Sequence, residues 1–502
     1  MGLCACFNMA TYRPDLVIIN PGAAHGIYGS LGDELVAVEP PLWCRLIAGY
    51  VQDHGFTVKI IDAEAERLEP KQITARILHD APRLICIAVF GHQPSASTQQ
   101  MHGARLAAQM IRNYAPNIPT IMVGGHVAAL PERTLQEEPI TFACNGEGLT
   151  TIVQLLAGIL PYAHIDGLVY WDGPKIVRVN KPAALVDVKL LHGNVWELLL
   201  MKLYRAHNWQ CFGDLSKRQP YASIYTSLGC PYACSFCCIQ SPFSPEVNGN
   251  RYRMRDPADV VAEIKVLHEK YGVETIKIID ELFVLNRKHY TAICQGIIDA
   301  GLGDKLNIWC YARVDTVHPE NLDLLRRAGV RWLALGIESG SKHVRDGAAK
   351  ALRNVDIVGV VRQIQAAGIS VIGNYIFGLP DDDLDSMRAT LDLAMECNTE
   401  FANFYSAMAY PGSKLYSAAL ESGSVLPSSW RGFSQHNEDS RPLDTQHITG
   451  RDVLRFRDEA FVQYFSSPAY LAMIRDKFGA ETEAHITKML SYKLTRKLLE
   501  PA

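Results

Sequence analysis

Three cysteines fall at Cys230, Cys234 and Cys237, inside the run SLGCPYACSFCCI over 227–239. The C-x3-C-x2-C spacing puts three thiols on one short loop, enough to hold three corners of a [4Fe–4S] cube. The fourth iron of such a cube has no protein ligand. An open iron binds a substrate or cofactor, which separates a catalytic cluster from one that only carries electrons. Three other uses of the thiols compete with this one. Free cysteines are small hydrophobes and are often buried. A zinc site usually repeats a C-x2-C pair further along, and no second pair follows here. Disulfides belong to oxidising compartments, whereas thirteen cysteines scattered over 502 residues read as a reduced chain. A short β-rich run at 224–226 leads into the loop, and Phe236 is the aromatic directly before the third cysteine. Both features favour the cluster.

The loop resembles the signature of the radical S-adenosylmethionine (SAM) enzymes. That resemblance implies that the open iron chelates the methionine amino and carboxylate groups of SAM. One electron from the reduced cluster then cleaves the sulfonium, and the resulting 5′-deoxyadenosyl radical removes a hydrogen atom from an unactivated C–H bond. An external one-electron donor of flavodoxin or ferredoxin type is implied as a partner. Later segments continue the resemblance in order. Candidate strands at 223–227, 275–279, 307–311, 332–336, 370–377 and 403–407 are each followed by a helical stretch, such as 257–271 and 386–397. Six such repeats over 222–410 suit a partial (β/α)6 barrel, with its chemistry at the carboxyl ends of the strands. Those ends carry IDE over 279–281, WCYARVD over 309–315, GIESGS over 336–341 and FGLP over 377–380. The resemblance places them around SAM. Asp280 and Glu281 stand where many members carry Gly-Gly-Glu against the amine. Glu338 and Ser339 match the element near the ribose and carboxylate, and Gly378 matches the backbone element beside adenine. A carboxylate suits ribose hydroxyls and an ammonium, and Arg313 suits a carboxylate as a bidentate fork. Cys238 and Cys310 read as packing residues.

Ahead of the barrel, residues 14–160 alternate apolar runs (16–19, 58–61, 84–89 and 120–123) with amphipathic stretches (43–51 and 98–114). Continuous apolar runs suit strands buried on both faces of a parallel sheet. Ligands of such sheets bind beyond the carboxyl ends of the strands. The ends here are NPGAAHG over 20–26, FGHQPSAST over 90–98, GGH over 124–126 and NGEG over 145–148. Glycines there let the backbone approach a bulky ligand, and hydroxyls and N–H groups at helix starts suit phosphate or ribose oxygens. The set resembles the flavodoxin- or Rossmann-like cobalamin-binding domain that precedes the radical domain in one methyltransferase-like subclass of the family. The residues that would carry cobalamin are Asn20, Pro21, Ser95, Ser97, Gly124, Gly125, His126, Gly146, Glu147 and Gly148. The D-x-H-x-x-G motif that would supply a lower histidine to cobalt is absent; DAEAER over 62–67 does not fit it. His25, His92 and His126 remain as loop histidines.

Residues 161–221 read as a connector with a hairpin at 167–173 and anchors at Trp196, Tyr204 and Trp209. Residues 411–502 read as a mostly helical C-terminal segment, with a polar loop at 434–445 and helices at 449–475 and 480–499. Substrate specificity is expected there and in the 242–256 loop. The net charge is −4 with no basic block, so a nucleic-acid substrate has no electrostatic support. No apolar run approaches the ~20 residues of a membrane span, and the start is too short and uncharged for a secretion signal. The expected location is therefore cytoplasmic. The implied reaction is methylation of an unactivated carbon of a small-molecule or lipid substrate, with cobalamin as methyl carrier. Oxidative cyclisation or rearrangement with the same cofactors is the alternative. A non-catalytic iron–sulfur or corrinoid carrier is a remote third.

Overall fold

The computed structural model describes residues 13–22, 35–91, 93–243, 252–350, 352 and 355–500. The expected loop histidines His25 and His92 lie outside the described residues, as does much of the 242–256 loop.

The first sheet is built from β1 (Leu16–Asn20), β2 (Val58–Asp62), β3 (Leu84–Val89), β4 (Thr120–Gly124) and β5 (Phe142–Cys144). These run parallel in the order β2-β1-β3-β4-β5. Every residue of β1, β3 and β4 is buried, as strands covered on both faces require. Leu16 and Ile18 pack on one side with the helix Leu42–Asp53, and Val17 and Ile19 on the other with the helix Ala96–Tyr114. The strand order reverses between β1 and β3, which marks a ligand-binding crevice at their carboxyl ends. An antiparallel pair, β6 (Leu168–Trp171) and β7 (Val177–Val179), extends the sheet beyond β5. The boundary expected near 160 thus falls inside the sheet, and the hairpin expected in the connector is part of it.

The second sheet has six parallel strands: β8 (Tyr221–Ile224), β11 (Thr275–Ile278), β12 (Asn307–Arg313), β13 (Val330–Glu338), β14 (Ser370–Phe377) and β15 (Phe401–Ser406). Its order, β8-β11-β12-β13-β14-β15, leaves both outer strands as edges, so the barrel is open. The first strand stops at Ile224 rather than 227. The reason is that Thr226 donates its backbone N–H to Asp280 Oδ1 (2.6 Å), and the chain leaves the ladder there. It then forms a two-stranded ribbon from β9 (Ser227–Leu228) and β10 (Arg253–Met254) on either side of the cysteine loop.

The C-terminal segment covers the β15 edge of the barrel. The helix expected at 449–475 is two, Gly450–Phe465 and Pro468–Phe478, because Pro468 lacks an N–H and Ser467 caps the new start. Tyr464 Oη donates to the Thr399 carbonyl (2.6 Å), Arg457 Nε to Phe404 O (2.8 Å) and Tyr470 Oη to Glu400 O (3.1 Å), each fixing a helix to the strand region. The last helix runs only over Ala480–Ser491.

A buried ion cluster joins the two sheets. Arg45 from the helix Leu42–Asp53 donates to Ser223 O (2.7 Å), to Gly193 O (2.9 Å) and to Glu263 (3.4 Å), with its guanidinium 3.6 Å above the Trp196 ring. Glu263, on the helix Pro257–Tyr271, also accepts from Arg255 (2.6 Å) and from the Trp196 indole (3.2 Å). First sheet, connector and barrel are therefore held by one carboxylate that is 1 % exposed.

Candidate functional site

The carboxyl ends of the two sheets face each other across a cavity of about 280 Å³. Cys230, Cys234 and Cys237 line it, together with Phe236, Glu281, Arg313, Glu338 and Lys350 from the barrel and Gln93, Pro94, Ser95 and Gln99 from the first sheet. The cysteine loop is held in shape by hydrogen bonds made to its backbone groups. Gln240 donates to the carbonyls of Cys230 (2.8 Å) and Tyr232 (3.1 Å), and Ser235 N–H donates to Ala348 O (3.0 Å). The three thiols line one shared space. Among the described residues no His, Cys, Asp and Glu group converges to hold a single ion. Three thiols on one cavity wall are the donor set that a [4Fe–4S] cube with one open iron takes.

The electrostatics of the loop fit the same group. Burial pushes the Cys230 thiol up to about 11 and raises Cys234 and Cys237. The Lys350 cation opposes the rise at Cys230 and Cys234, and Arg313 opposes it at Cys234. Burial also works against the Lys350 charge, but Glu338 at 2.8 Å and the nearby Cys234 hold its pKa above the ordinary lysine value. Cys238, pushed by burial to about 12, packs with Met408 and Tyr410, and Cys310 is fully buried in β12.

The expected SAM residues divide. Glu281 faces the cavity, and burial followed by the Asp280 charge raises it to about 8, so an ammonium would relieve it. Glu338 sits at φ +67, a strained conformation for a side-chain-bearing residue, with its carboxylate paired to Lys350 at the cavity wall. Asp280 is committed elsewhere: it accepts from Thr226 N–H and Oγ1 (2.5 Å) and from Ser227 Oγ (2.7 Å), and so pins the start of the cysteine loop. The Arg313 fork is closed on Asp315 (2.9 and 3.2 Å) and stacks 4.0 Å from the Tyr232 ring, bracing the loop instead of waiting for a carboxylate. Ser339 is wholly buried against Thr390 (3.1 Å). Gly378, at φ +80, donates to Asp382 (3.0 Å), and a Cβ there would meet Val453 at 2.6 Å, so this glycine accommodates the C-terminal helix.

On the first sheet, a narrow cavity of about 60 Å³ runs between Ser97, Gly125, Trp43 and Phe90 on one side and Asp280, Glu281 and Phe243 on the other. Trp43 stacks on Phe90 (4.2 Å), giving an apolar wall with a rim of hydroxyl, amide and glycine backbone. That lining fits a flat macrocycle with a polar edge. A larger space of about 690 Å³ shares Gln93 with this gap and is bordered by Glu64, Ala96, Gln99 and Gln100 of the same half and by Lys277, Trp309 and Tyr311 of the barrel. Other expected contacts have internal work. Asn20 donates to Asp62 (2.8 Å), which also accepts from Tyr204 Oη (2.8 Å), and the adjacent Pro21 is buried at the end of β1. His126 is buried against Thr98 and Trp430, and burial lowers its pKa to about 3. Ser97 accepts the His126 N–H (2.8 Å) and donates to Val89 O. Glu147 is ion-paired with Arg253 beside β9–β10. Gly124 and Gly148 have positive φ, and a Cβ there would also strike Val89 O at 2.0 Å and Val123 at 2.9 Å, whereas Gly146 faces open space.

Comparison with known proteins agrees with this two-part site. Residues 224–394 match the family described as the radical SAM superfamily, and residues 30–156 match the B12 binding domain. The chain belongs to the B12-binding radical SAM enzymes. Its cofactors are a [4Fe–4S] cluster, SAM and cobalamin. Among the relatives of this B12-binding radical SAM enzyme is an uncharacterised methyltransferase of Pyrococcus horikoshii. It is 27 % identical over 444 residues, which make up 88 % of this chain and 90 % of that one. An anaerobic magnesium-protoporphyrin IX monomethyl ester cyclase of Cereibacter sphaeroides is 25 % identical over 402 residues, 78 % of this chain and 62 % of that one. The fold is also that of the radical SAM methyltransferase TsrM from Kitasatospora setae, solved with cobalamin and a [4Fe–4S] cluster. The TM-score is 0.66 at 18 % identity, covering 91 % of this chain and 90 % of that one. Among the described residues no helix of the enzyme is long and apolar enough to cross a membrane.

Lys350, Tyr232, Tyr311, Gln99 and Gln435 also line the cluster cavity, and Trp43 and Phe90 the narrow one. Tyr232, Tyr311 and Phe90 fall inside runs that the sequence marks, whereas Lys350, Gln99, Gln435 and Trp43 carry no local motif.

Proposed function

We infer that this enzyme is a C-methyltransferase that uses both cofactors at one cavity. The observation that carries this reading is the cavity wall itself. The thiols Cys230, Cys234 and Cys237 and the Glu338–Lys350 pair share one space with Ser95 and Gln99 of the B12-binding half. When bound, the cluster and SAM supply a carbon radical and cobalamin supplies a methyl group. The chain's own residues bind, orient and exclude water. On this reading Glu281 takes the methionine ammonium and Glu338 accepts from ribose hydroxyls, with Lys350 holding the latter carboxylate. Ser95 and the Gly125 backbone edge the corrin side. Arg313, Tyr232 and Asp280 keep the cysteine loop in register.

The relatives named as methyltransferases favour methyl transfer over the cyclase reaction. The substrate is a small molecule. The electron enters from a flavodoxin- or ferredoxin-type donor, and the reducing, low-oxygen surroundings that an open iron needs make the cytoplasm its place of work. Anaerobic turnover of cobalamin-loaded enzyme decides the reaction. S-adenosylhomocysteine together with 5′-deoxyadenosine supports methylation; 5′-deoxyadenosine alone, with a dehydrogenated or cyclised product, replaces it by the cyclase reading.

A further inference from the structure

The ribbon β9–β10 brackets the cysteine loop, with Arg253 opposite Leu228 and Met254 opposite Ser227. Leu228 and Gly229 line the narrow slot shared with Trp43 and Phe90, and the next residue, Cys230, lines the cluster cavity. One stretch of backbone therefore forms a wall of both spaces. Toward the barrel it is fixed twice. Ser227 Oγ donates to Asp280 (2.7 Å). Arg255 donates its backbone N–H to Thr226 O (2.9 Å) and its guanidinium to Glu263 (2.6 Å).

Toward the B12-binding half the ribbon is held through Arg253. Its guanidinium donates to both carboxylate oxygens of Glu147 and to Val186 O (2.6 Å). It also lies 5.5 Å from the ring of Phe243, which lines the slot and stands 6.3 Å from Trp43. The Arg253 and Glu147 side chains are 9 % and 5 % exposed. Burial raises the Glu147 pKa and Arg253 opposes the rise, so each charge depends on the other to stay where it is. Three acceptors on two different segments need the spread N–H groups of a guanidinium, which a lysine does not have.

We propose that Arg253 is a positioning residue that couples the two cofactors. Through Glu147 it refers the ribbon to the B12-binding half, so that loading the cluster into the cysteine loop also sets the slot for cobalamin. Holding three thiols on a cluster removes the freedom of the loop and, with it, that of Leu228 and Gly229. Cobalamin then meets a barrel wall that is already ordered and already spaced from the wall of Trp43 and Phe90. The ordering entropy is lost once for two ligands, which is positive cooperativity. The relation is reciprocal, so bound cobalamin holds the cluster more firmly by the same factor. The proposal rests on the preceding reading only in placing cobalamin in this cleft, and it holds whether the substrate is methylated or cyclised.

The test is anaerobic equilibrium dialysis of hydroxocobalamin against full-length enzyme in two backgrounds, wild type carrying its cluster and the Cys230→Ala, Cys234→Ala, Cys237→Ala variant without one. The dissociation constant should be about tenfold lower with the cluster. Replacing both partners, Glu147→Leu with Arg253→Met, leaves no stranded charge and should bring the ratio to within about twofold of one. Arg253→Lys, which keeps the charge but not the fork, should retain part of it. A purely structural pair would weaken cobalamin alike in both backgrounds and leave the ratio as it was. An unchanged ratio in the double variant therefore overturns the proposal, as does a wild-type ratio near one. Should the double variant take up no iron, Arg253→Gln decides by the same ratio, since it keeps a donor for Val186 O and loses the charge. A wild type that binds no cobalamin in either background would instead sink the placement of cobalamin in this cleft.

Discussion

Replacing Glu263 by leucine should unfasten the two halves of the enzyme. Glu263 is 1 % exposed and, among the described residues, is the carboxylate paired with both Arg45 and Arg255. Removing it leaves two guanidiniums buried without their counter-ion and the Trp196 indole with Asn194 alone (3.2 Å). Burial has already lowered Arg45 to about 10 even with Glu263 present, so the cation is costly where it stands. Breaking one side of a buried pair costs about 3–5 kcal/mol, against about 0–1 for an exposed pair. The variant should therefore show its first urea-unfolding transition at clearly lower denaturant, followed anaerobically by tryptophan fluorescence. The further change Arg45→Met, which removes one stranded cation, should recover part of the loss, so the double variant is less damaged than the sum of the singles. Because Arg45 also grips Ser223 at the end of β8, the cleft between the sheets should lose its registry. The ratio of 5′-deoxyadenosine formed to methyl groups transferred should then rise. A Glu263→Leu enzyme within about 1 kcal/mol of wild type, with unchanged coupling, would refute the reasoning that this cluster clamps the site.

Further expectations concern single groups. Lys350→Met should raise the SAM concentration for half-maximal 5′-deoxyadenosine formation about tenfold or more, with iron content retained, because Glu338 loses its partner at 2.8 Å; equal half-saturation in the two enzymes would remove Lys350 from the site. Cys238→Ala should keep its iron while Cys234→Ala loses it, read by iron and sulfide analysis, since Cys238 packs with Met408 and Tyr410. Gly124→Ala should prevent folding or cost more than about 2 kcal/mol by urea titration, since its Cβ would lie 2.0 Å from Val89 O at φ +154. His126 and His436 are both lowered by burial from 6.5 to about 3. Between those values the unfolded chain binds protons that the folded one does not. Each buried histidine should therefore take away up to about 1.4 kcal/mol of stability per unit as pH drops below 6.5, against the opposite contribution of carboxyls raised by burial, Glu281 to about 8 and Asp62 and Asp382 to about 6. His126→Gln should flatten that slope, and an unchanged slope would contradict the burial argument.

The parts of this architecture written in local patterns were readable from the chain. All-apolar runs marked β1, β3 and β4, and the cysteine loop was marked by its spacing. What escaped depends on residues distant in sequence. The antiparallel extension β6–β7 looked like a connector hairpin because nothing local to 168–179 says that β5 has a free edge. Asn20, Glu147 and Arg313 sit where ligand contacts were expected, yet Asp62, Arg253 and Asp315 claim their side chains, and only tertiary structure reveals such competition. Lys350, twelve residues past Glu338 and outside any motif, becomes visible only when both reach the same cavity wall.

The central claim is that three thiols hold a cluster facing a cobalamin site across a single cavity. The most direct test loads iron, sulfide and hydroxocobalamin anaerobically into wild type and into the Cys230→Ala, Cys234→Ala, Cys237→Ala triple variant, then measures 5′-deoxyadenosine after reduction in the presence of SAM. The account predicts roughly four irons and four sulfides per wild-type chain, bound cobalamin in both proteins, and SAM cleavage in wild type alone. A triple variant that still cleaves SAM, or a wild type that carries the full cluster yet retains no cobalamin, would contradict it.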